Sequence, residues 1–497
     1  MADQLEMRFD ADPDWALVQL AIGEHASREI PRHEKMWAYF RNPLELVGVS
    51  GTAGGKGWYR AAQEIGLPER IRGNGSGVYG DQRGRREVVI ENDIGWRVQT
   101  MVDFMFGDPI RFESTAGDAG VKLAVESVLE AVWEASGGIA LLQDLAILGH
   151  VFGHVDLLVR IDAEGLGGAT LAGASEWITI EPIDARRGVA LVSADDYRVL
   201  DGYAVHFERE LNEVEGSRGR GGRVGRLFGG RGGSGGSRVE RRQGTVTEVF
   251  GRSGWRRFEN GEEVARSAST LLGGEVPVVH IQNMRQPFVY GGIGEVEPLV
   301  ALQDELNTRL SDRANRVTLQ SFQMYLAKGI EGFNGAGVGP GVVWSTENPD
   351  ASIERFGGDM HSPSEESHIT EIREAMDKVS GVPPLAGGVV RAKLGNLSSG
   401  NALRVTLMGL IAKTRRKRVG YGRGMEKVCG MILTALDAAG VLSTDPSERG
   451  VRVVWPEFAV ADERETVAAA KGKIELGVPA ETVIAELGYG RVDPGVV

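Results

Sequence analysis

The chain has 497 residues, 42% of them hydrophobic, which is too long for one compact core and ample for globular folding. Its 56 basic and 69 acidic residues leave a formal net charge of −13, which excludes a protein that grips nucleic acid over its whole surface. Any such contact must be local or weak. Cys429 is the only cysteine, so no internal disulfide can form, which fits folding in a reducing cytoplasm.

Apolar runs are short throughout the chain. None reaches the length of about 18 residues that indicates a membrane-spanning helix. The opening residues MADQLEMRFDADPDW are acidic and lack the basic-then-apolar order of a signal peptide. We therefore expect a soluble chain that stays inside the cell where it is made and has no membrane partner.

The first 300 residues combine helix and strand patterns. Apolar residues recur at three- and four-residue steps within residues 88–104, which predicts an amphipathic helix that Gly107-Asp108-Pro109 ends. Further helices are predicted over residues 121–135 and 141–146. Strands are predicted over residues 110–112, 155–161, 178–182, 197–207, 245–250 and 276–282, with turns at Asp201-Gly202 and Asn260-Gly261. Together they predict an α+β region with a largely antiparallel sheet.

A Gly/Arg-rich stretch, residues 216–238, interrupts this region. It carries six arginines and no acids, so it cannot bury a core and is expected to be a flexible excursion from a β-hairpin. Its composition is also typical of single-strand or RNA-binding tails. Phe228 is its one aromatic residue, so the stacking platform of such binders is missing, and a surface loop is the favoured interpretation.

Two further helices are predicted on either side of a Gly-rich segment. Leu299, Leu302, Leu306 and Leu310 begin an apolar stripe that predicts a helix over residues 299–328, roughly 45 Å long. The Gly-rich residues 329–361 are expected to hold a short hairpin formed by residues 341–344 and 351–356, and a second helix follows over residues 362–382. If the two helices are antiparallel, the β excursion lies at the far end of a stalk. Its aromatic residues form either an exposed docking surface or its small core: Phe333, Trp344 and Phe356.

A positively charged loop and a long helix come next. Ser380-Gly381-Val382-Pro383-Pro384 ends the second helix, and Arg391 and Lys393 lie in the loop that follows. The long helix begins near Ser399, and its glycines predict a kink or a close backbone approach near residues 420–424. A strand over residues 451–455 and a helical tail over residues 461–487, broken at Gly477-Val478-Pro479, complete the chain.

The long helix also carries the densest run of cations in the chain. Five neighbouring residues wrap the whole circumference of a helix, so they cannot all face one surface. Inter-subunit salt bridges or a solvated face are the favoured interpretation, and DNA contact is the alternative. The residues are Lys413, Arg415, Arg416, Lys417 and Arg418.

The sequence offers only weak candidates for metal-binding or nucleotide-binding residues. His150 and His154 have the i, i+4 spacing of metal ligands on a helix, yet no Glu follows His150, and Gly149 and Gly153 with a strand-like continuation argue against a helix. They are expected to be structural. Residues 51–57 imitate a phosphate-binding loop but lack its first glycine and its Ser or Thr. We therefore expect no catalytic residues, no metal and no cofactor.

Several ordered blocks of the sequence resemble a known family. The portal proteins of tailed double-stranded DNA bacteriophages, of the siphophage and prophage type, share such blocks in the same order. The blocks are ENDIGWRVQTMVDFMFGDPI (91–110), VPVVHIQN (276–283), LQDELNTRLSDRANRV (302–317), KVSGVPPLAGG followed by NLSSGNALR (378–404) and KIELGVPAETVIAELGY (473–489).

The resemblance implies an α+β portal protomer. An N-terminal segment would cover residues 1–30 and an α/β wing residues 31–298. A two-helix stem would consist of residues 299–328 and 362–382, on either side of a small β-containing clip. The remaining regions would be the clip itself (329–361), the tunnel loop (383–397), a long kinked wing helix and strand (398–460) and a helical C-terminal crown (461–497). The Gly/Arg-rich excursion is a departure from the family.

The resemblance also implies a function and partners. Portals form dodecameric rings at one capsid vertex of the virion, assemble in the host cytoplasm, pass double-stranded DNA during packaging and ejection, and serve as head–tail connectors. Expected partners are non-specific DNA, the large terminase subunit, major capsid and scaffold proteins, and a head-completion or adaptor protein. Arg391 and Lys393 would face the DNA from the tunnel loop, and Arg373 and Lys378 could line the stem. Phe333, Trp344 and Phe356 could form the docking surface of the clip.

Two other functions stay open on sequence grounds. The chain could be a cytosolic nucleic-acid-binding protein that acts through its Gly/Arg-rich stretch, or a hydrolase whose site is not recognisable. The mass of the assembled protein distinguishes the portal hypothesis from these two alternatives, because only a portal is expected to form a ring.

Overall fold

The computed structural model describes residues 13–47, 58–72, 87–196, 198–214, 239–268, 271–321, 324–328, 348–356, 363–387, 400–458 and 463–486. Its helices are α1 (Trp15–Arg28), α2 (Ile30–Arg41), α3 (Glu69–Arg72), α4 (Asp93–Phe106), α5 (Ala119–Ala135), α6 (Gly138–Phe152), α7 (Ala163–Leu166), α8 (Val300–Ser321), α9 (Pro363–Ser380), α10 (Gly400–Ala438), α11 (Glu463–Glu475) and α12 (Ala480–Glu486). Its strands are β1 (Leu44–Val47), β2 (Trp58–Ala61), β3 (Arg111–Ser114), β4 (His154–Ile161), β5 (Ile178–Ile183), β6 (Gly188–Val192), β7 (Leu200–Val214), β8 (Val239–Phe250), β9 (Trp255–Glu259), β10 (Glu262–Ser267), β11 (Val278–Gln282), β12 (Met324–Lys328), β13 (Ser352–Phe356) and β14 (Val451–Val454).

Two sheets dominate the first 300 residues. One has the order β10-β9-β8-β7-β6 and the other the order β11-β4-β5, and neighbouring strands are antiparallel in both. The α+β class and the antiparallel character predicted from the sequence are therefore confirmed. The turn at Asn260-Gly261 joins β9 to β10 with positive φ at both residues (51° and 84°), as a type I′ hairpin requires.

The turn predicted at Asp201-Gly202 is wrong. Both residues lie inside β7, where Gly202 pairs with Leu191 of β6. A Cβ atom at Gly202 would lie 2.2 Å from Cγ of Pro13, so glycine is needed here for close packing rather than for a turn.

The main core lies between helices α4, α5, α6 and α10 and the sheet β11-β4-β5. Fully buried Val98, Leu145, Leu157 and Ile432 come from four of these elements. Helix α10 is one uninterrupted helix of 39 residues, and a Cβ atom at its Gly424 would lie 2.4 Å from the Ile281 side chain. The close backbone approach predicted near residues 420–424 is thus present at Gly424.

No single helix in the described ranges is both long enough and apolar enough to cross a membrane. Helices α5 and α6, bent by 68° at the break between them, pass a length and composition test only as a pair. Their apolar residues, such as Val132 and Leu145, are buried in the main core.

The helix predicted over residues 299–328 ends earlier than expected. Helix α8 stops at Ser321, and residues 324–328 form β12, which pairs with β13. Met324-Tyr325-Leu326 favours a strand once a partner strand is available, and no periodic pattern reveals that partner. The hairpin predicted between residues 341–344 and 351–356 is therefore wrong in its pairing for residues 352–356, while residues 341–344 lie outside the described residues.

Helices α8 and α9 pack side by side in opposite directions. Arg316 near the end of α8 forms an ion pair with Glu365 near the start of α9. The last residues of α9 lie beside the short 3₁₀ turn Glu297–Leu299 that precedes α8. The antiparallel stalk with a small β unit at one end is thus observed for the described residues.

The tail follows the predicted pattern. Helix α11 ends at Glu475 and α12 begins at Ala480, directly after Pro479. Gly477 takes φ 93°, the left-handed conformation that commonly ends a helix.

Candidate functional site

Helix α8 is joined to the preceding region by a ladder of polar side chains. Gln303, Asn307, Ser311 and Asn315 stand four residues apart on one face. They bond the backbone of residues 87–92, which precede α4, and of Ile94 in its first turn. Asn307 Oδ1 accepts from Glu91 N at 3.0 Å, Ser311 Oγ from Val89 N at 3.0 Å, and Asn315 Oδ1 from Glu87 N at 2.9 Å. Gln303 accepts from Ile94 N at 3.1 Å and donates to Glu91 O at 2.5 Å.

The spacing of this ladder has a geometric cause. Four helical residues rise about 6 Å, and two extended residues advance roughly 6.6 Å. Asn307, Ser311 and Asn315 therefore meet alternate residues of the segment before α4, which are Glu91, Val89 and Glu87. Gln303, Asn307 and Ser311 are 0% exposed, so their polar groups need these partners. The apolar stripe of α8 was predicted from the sequence, but this polar stripe was not, although its i, i+4 repeat is visible there.

Arg97 of α4 holds the end of α9. Its guanidinium is 1% exposed and donates from Nη2 to Asp377 Oδ1 at 2.7 Å and from Nε to Asp93 Oδ2 at 2.8 Å. Its Nη1 donates to Ser380 Oγ at 3.0 Å and to Val382 O at 2.9 Å. One side chain therefore fixes both the last turn of α9 and the first residues of the segment that leads to Arg391 and Lys393.

A buried charge cluster joins α10 to the same place. Glu295 is 5% exposed, and its Oε2 accepts a hydrogen bond from Lys413 Nζ at 2.5 Å. Its Oε1 forms an ion pair with Lys417 Nζ at 2.6 Å. Lys413 also donates to Ser380 O at 2.7 Å, at the carbonyl end of α9 where a cation is favoured. We call Glu295, Lys413 and Lys417 the charge clamp.

The pKa values in the charge clamp follow from burial and charge. Burial opposes ionisation of Glu295, but Lys417 and Lys413 outweigh it and lower the pKa of Glu295 to about 2. Burial lowers the pKa of Lys417 to about 8, against the opposing attraction of Glu295. At neutral pH the Glu295 carboxylate and the Lys417 ammonium group are therefore both charged.

Three residues of the cationic run of α10 have partners within the chain. Lys413 and Lys417 pair within the chain, and Arg418 lies over the rings of Phe458 (4.2 Å) and Trp455 (5.0 Å) while donating to Pro456 O. A solvated face therefore does not describe Lys417, which is 3% exposed, and Lys413 and Arg418 are half-buried. Arg415 and Arg416 are the exposed members.

The site residues predicted from the sequence are partly visible. Arg373 lies on α9, one-third exposed, and pairs with Glu91 at 2.6 Å. Lys378 is exposed on the same helix and forms no ion pair with a described residue. Phe356 ends β13. Arg391, Lys393, Phe333 and Trp344 lie outside the described residues, so the structure does not bring them together with the others.

The exposed surface of α9 is acidic. Glu366, Glu371 and Glu374 are exposed on this helix, against the single exposed cation Lys378. Such a surface repels phosphate rather than binding it.

Of the two histidines predicted to be structural, His150 is buried and His154 is half-buried, and the placement of His150 differs from expectation. His150 lies in the last turn of α6, contrary to the argument against a helix, and His154 opens β4. Burial lowers the pKa of His150 to about 3 and that of His154 to about 4, so both are neutral. In the described part of the chain, no group of three or more His, Cys, Asp or Glu side chains has the geometry of a metal site.

One family model matches most of the chain. Residues 92–488 match the family model described as "Phage portal protein, SPP1 Gp6-like". No curated protein sequence matches the chain.

Three of the solved structures that match the chain are from gene transfer agent (GTA) particles. A chain of the virion of the native GTA particle is 13% identical, with 79% of this chain and 88% of that chain covered and a TM-score of 0.42. A chain of the neck of the empty GTA particle computed with C6 symmetry is 12% identical, with 80% and 90% covered and a TM-score of 0.46. A chain of the neck of the native GTA particle computed with C12 symmetry is 12% identical, with 79% and 88% covered and a TM-score of 0.43.

Proposed function

This chain belongs to the SPP1 Gp6-like family of phage portal proteins, and we propose that it forms a closed ring at one capsid vertex through which double-stranded DNA passes. The family match over residues 92–488 is the observation that carries this proposal. We propose a ring of twelve subunits and no catalytic activity. The ring would be assembled in the host cytoplasm and would remain in the virion as the head–tail connector.

The stalk supports the role of a conduit. Helices α8 and α9 are antiparallel and carry β12 and β13 at one end, so copies of the stalk around an axis would form a tube. The exposed glutamates of α9 would keep phosphates from adhering to the wall. DNA then slides because contacts with phosphates are few and carry no sequence information.

The DNA contacts are proposed to come from the tunnel loop, through Arg391 and Lys393. Arg97 and the charge clamp hold Ser380 and Val382, where this loop begins, to the wing. A loop with a fixed base can keep its cations at a constant radius in the ring. Lys378 is the better candidate for the stem lining, because the charge of Arg373 is already paired with Glu91.

The clip is proposed to dock the large terminase subunit during packaging and a head-completion protein afterwards. It lies at the end of the stalk, and Phe333, Trp344 and Phe356 are its aromatic candidates. Major capsid and scaffold proteins would contact the wing.

The test of the tunnel-loop proposal is the double substitution R391A/K393A. The expected result is normal ring assembly with less DNA retained per particle, because phosphate contacts are removed without touching the protein core. A matched control is R423A/K471A, which removes two exposed cations from α10 and α11. Unchanged DNA content in R391A/K393A particles, or an equal loss in the control, contradicts the assignment.

A further inference from the structure

A cleft of about 880 Å³ runs along the open edge of the sheet β11-β4-β5. One wall is the start of β7 with the residues just before it, the other is α10, and the segment 285–290 lies at its mouth. Strand β11 has β4 on one side only, and no described strand pairs with its other edge. A strand edge in a cleft is a template for one more strand.

The backbone of β11 has groups directed into this cleft. Pro277 O accepts from Val159 N, and Asn283 N donates to Gly153 O, both at 2.9 Å, so the odd-numbered residues bond towards β4. In an antiparallel pair the N–H and C=O of alternate residues point to opposite sides. His280 and Gln282 therefore direct their backbone N–H and C=O into the cleft.

The walls of the cleft are cationic and partly apolar. Arg285 and Lys427 are exposed and form no ion pair with a described residue, whereas Glu275 is the only acid among the lining residues. Val199 and Val289 are apolar lining residues that are 41% and 45% exposed. A segment that alternates acidic and apolar residues would match both features.

The first twelve residues have such a sequence. In MADQLEMRFDAD, Leu5, Met7 and Phe9 alternate with charged residues, the period of a strand with one apolar face. Four acids stand against one arginine in this segment. The undescribed stretches at 215–238 and 388–399 carry an excess of cations instead, which the cleft would repel.

The chain also enters the described region beside the cleft. Pro13 packs on Gly202, and Arg256 donates to Pro13 O. Gly202 is two residues from Leu200, which lines the cleft. Twelve extended residues reach up to about 40 Å, whereas a strand as long as β11 needs only about 17 Å.

We propose that residues 1–12 lie in this cleft and add a strand to the open edge of β11 of the same protomer. The sheet would then have four strands, and the wing would be closed by its own N-terminal segment. This inference does not depend on the proposed function.

Disulfide scanning tests the position of the segment. E6C, D10C and D12C, which replace acids expected to face the cationic wall, are each combined with K427C on that wall. The native Cys429 is buried, and burial raises the pKa of its thiol to about 12, so it does not compete. We expect at least one pair to oxidise within a single chain, which migrates as a monomer on a denaturing gel. The control K471C, on α11, is expected to give no bond. Bonds between chains, or no bond in any of the three pairs, overturn the proposal.

Hydrogen exchange provides a second, independent measurement. Deletion of residues 2–12 is expected to speed exchange of the His280 and Gln282 amides by at least about tenfold, because an added strand protects edge amides. R285E/K427E should show the same change, and R423E, which alters an exposed residue of α10 outside the cleft, should not. Equal exchange in the full-length and shortened chains overturns the proposal.

Discussion

Replacing Glu295 by glutamine tests the charge clamp, because the substitution keeps the shape of the side chain and removes its charge. Lys417 is 3% exposed and loses its only described counter-ion, while Lys413 keeps Ser380 O. Removal of one partner from a buried ion pair costs about 3–5 kcal/mol. For a unit of 150–250 residues that unfolds cooperatively, this lowers Tm by roughly 6–20 °C, at about 2–4 °C per kcal/mol.

The pH dependence gives this prediction a second readout. The folded pKa of Glu295 (about 2) lies below its ordinary value of 4.5, so its stabilising contribution is present above pH 4.5 and lost as the pH falls towards 2. E295Q should lack that loss. The difference in free energy of unfolding between wild type and E295Q should also shrink as the pH rises from about 6 to about 9, because a neutral Lys417 needs no counter-ion.

Thermal and urea unfolding of wild type, E295Q and E295Q/K417M over this pH range form the assay. The double variant should recover part of the lost stability, because it no longer buries an unpaired ammonium group. The reasoning is refuted if E295Q costs less than about 1 kcal/mol, or if K417M adds further destabilisation to E295Q.

Three further substitutions test the remaining contacts of the stalk. R97K should cost about 3 kcal/mol by urea unfolding, because lysine cannot replace the three-way guanidinium contacts; a loss as small as that of R423K at the surface would contradict this. N307A should cost about 1–3 kcal/mol, because Glu91 N–H loses its acceptor and Gln63 Oε1 loses the donor Asn307 Nδ2. N315A, at the more exposed end of the ladder, should cost less, and the reverse order would contradict the ladder. R373A should cost under about 1 kcal/mol, because its pair with Glu91 is partly exposed, and a larger loss would show a buried role.

The sequence predicted the elements whose signal is local. Apolar periodicity located α4 and α5, and the Gly-Val-Pro break separated α11 from α12, because each depends on neighbours within a few residues. It also predicted either a kink or a close backbone approach near residues 420–424, and the close approach is present at Gly424.

Three of the failures involve partners far along the chain. β12 was assigned to a helix because its partner β13 lies beyond the Gly-rich segment, and Gly202 was assigned to a turn because Pro13 packs on it from 189 residues away. The cationic run looked like a surface feature because Glu295 precedes Lys413 by 118 residues. Side chains at a given spacing reveal a helix face, but not what covers that face.

Ring formation is the most direct test of the central claim. Mass photometry of the purified full-length chain, followed by electron-microscopy class averages, measures subunit number and shape together. The account predicts particles near twelve times the 53.5 kDa chain, about 640 kDa, with a central channel in end-on views. A population that stays monomeric at micromolar concentration, or assemblies without a channel, would contradict it.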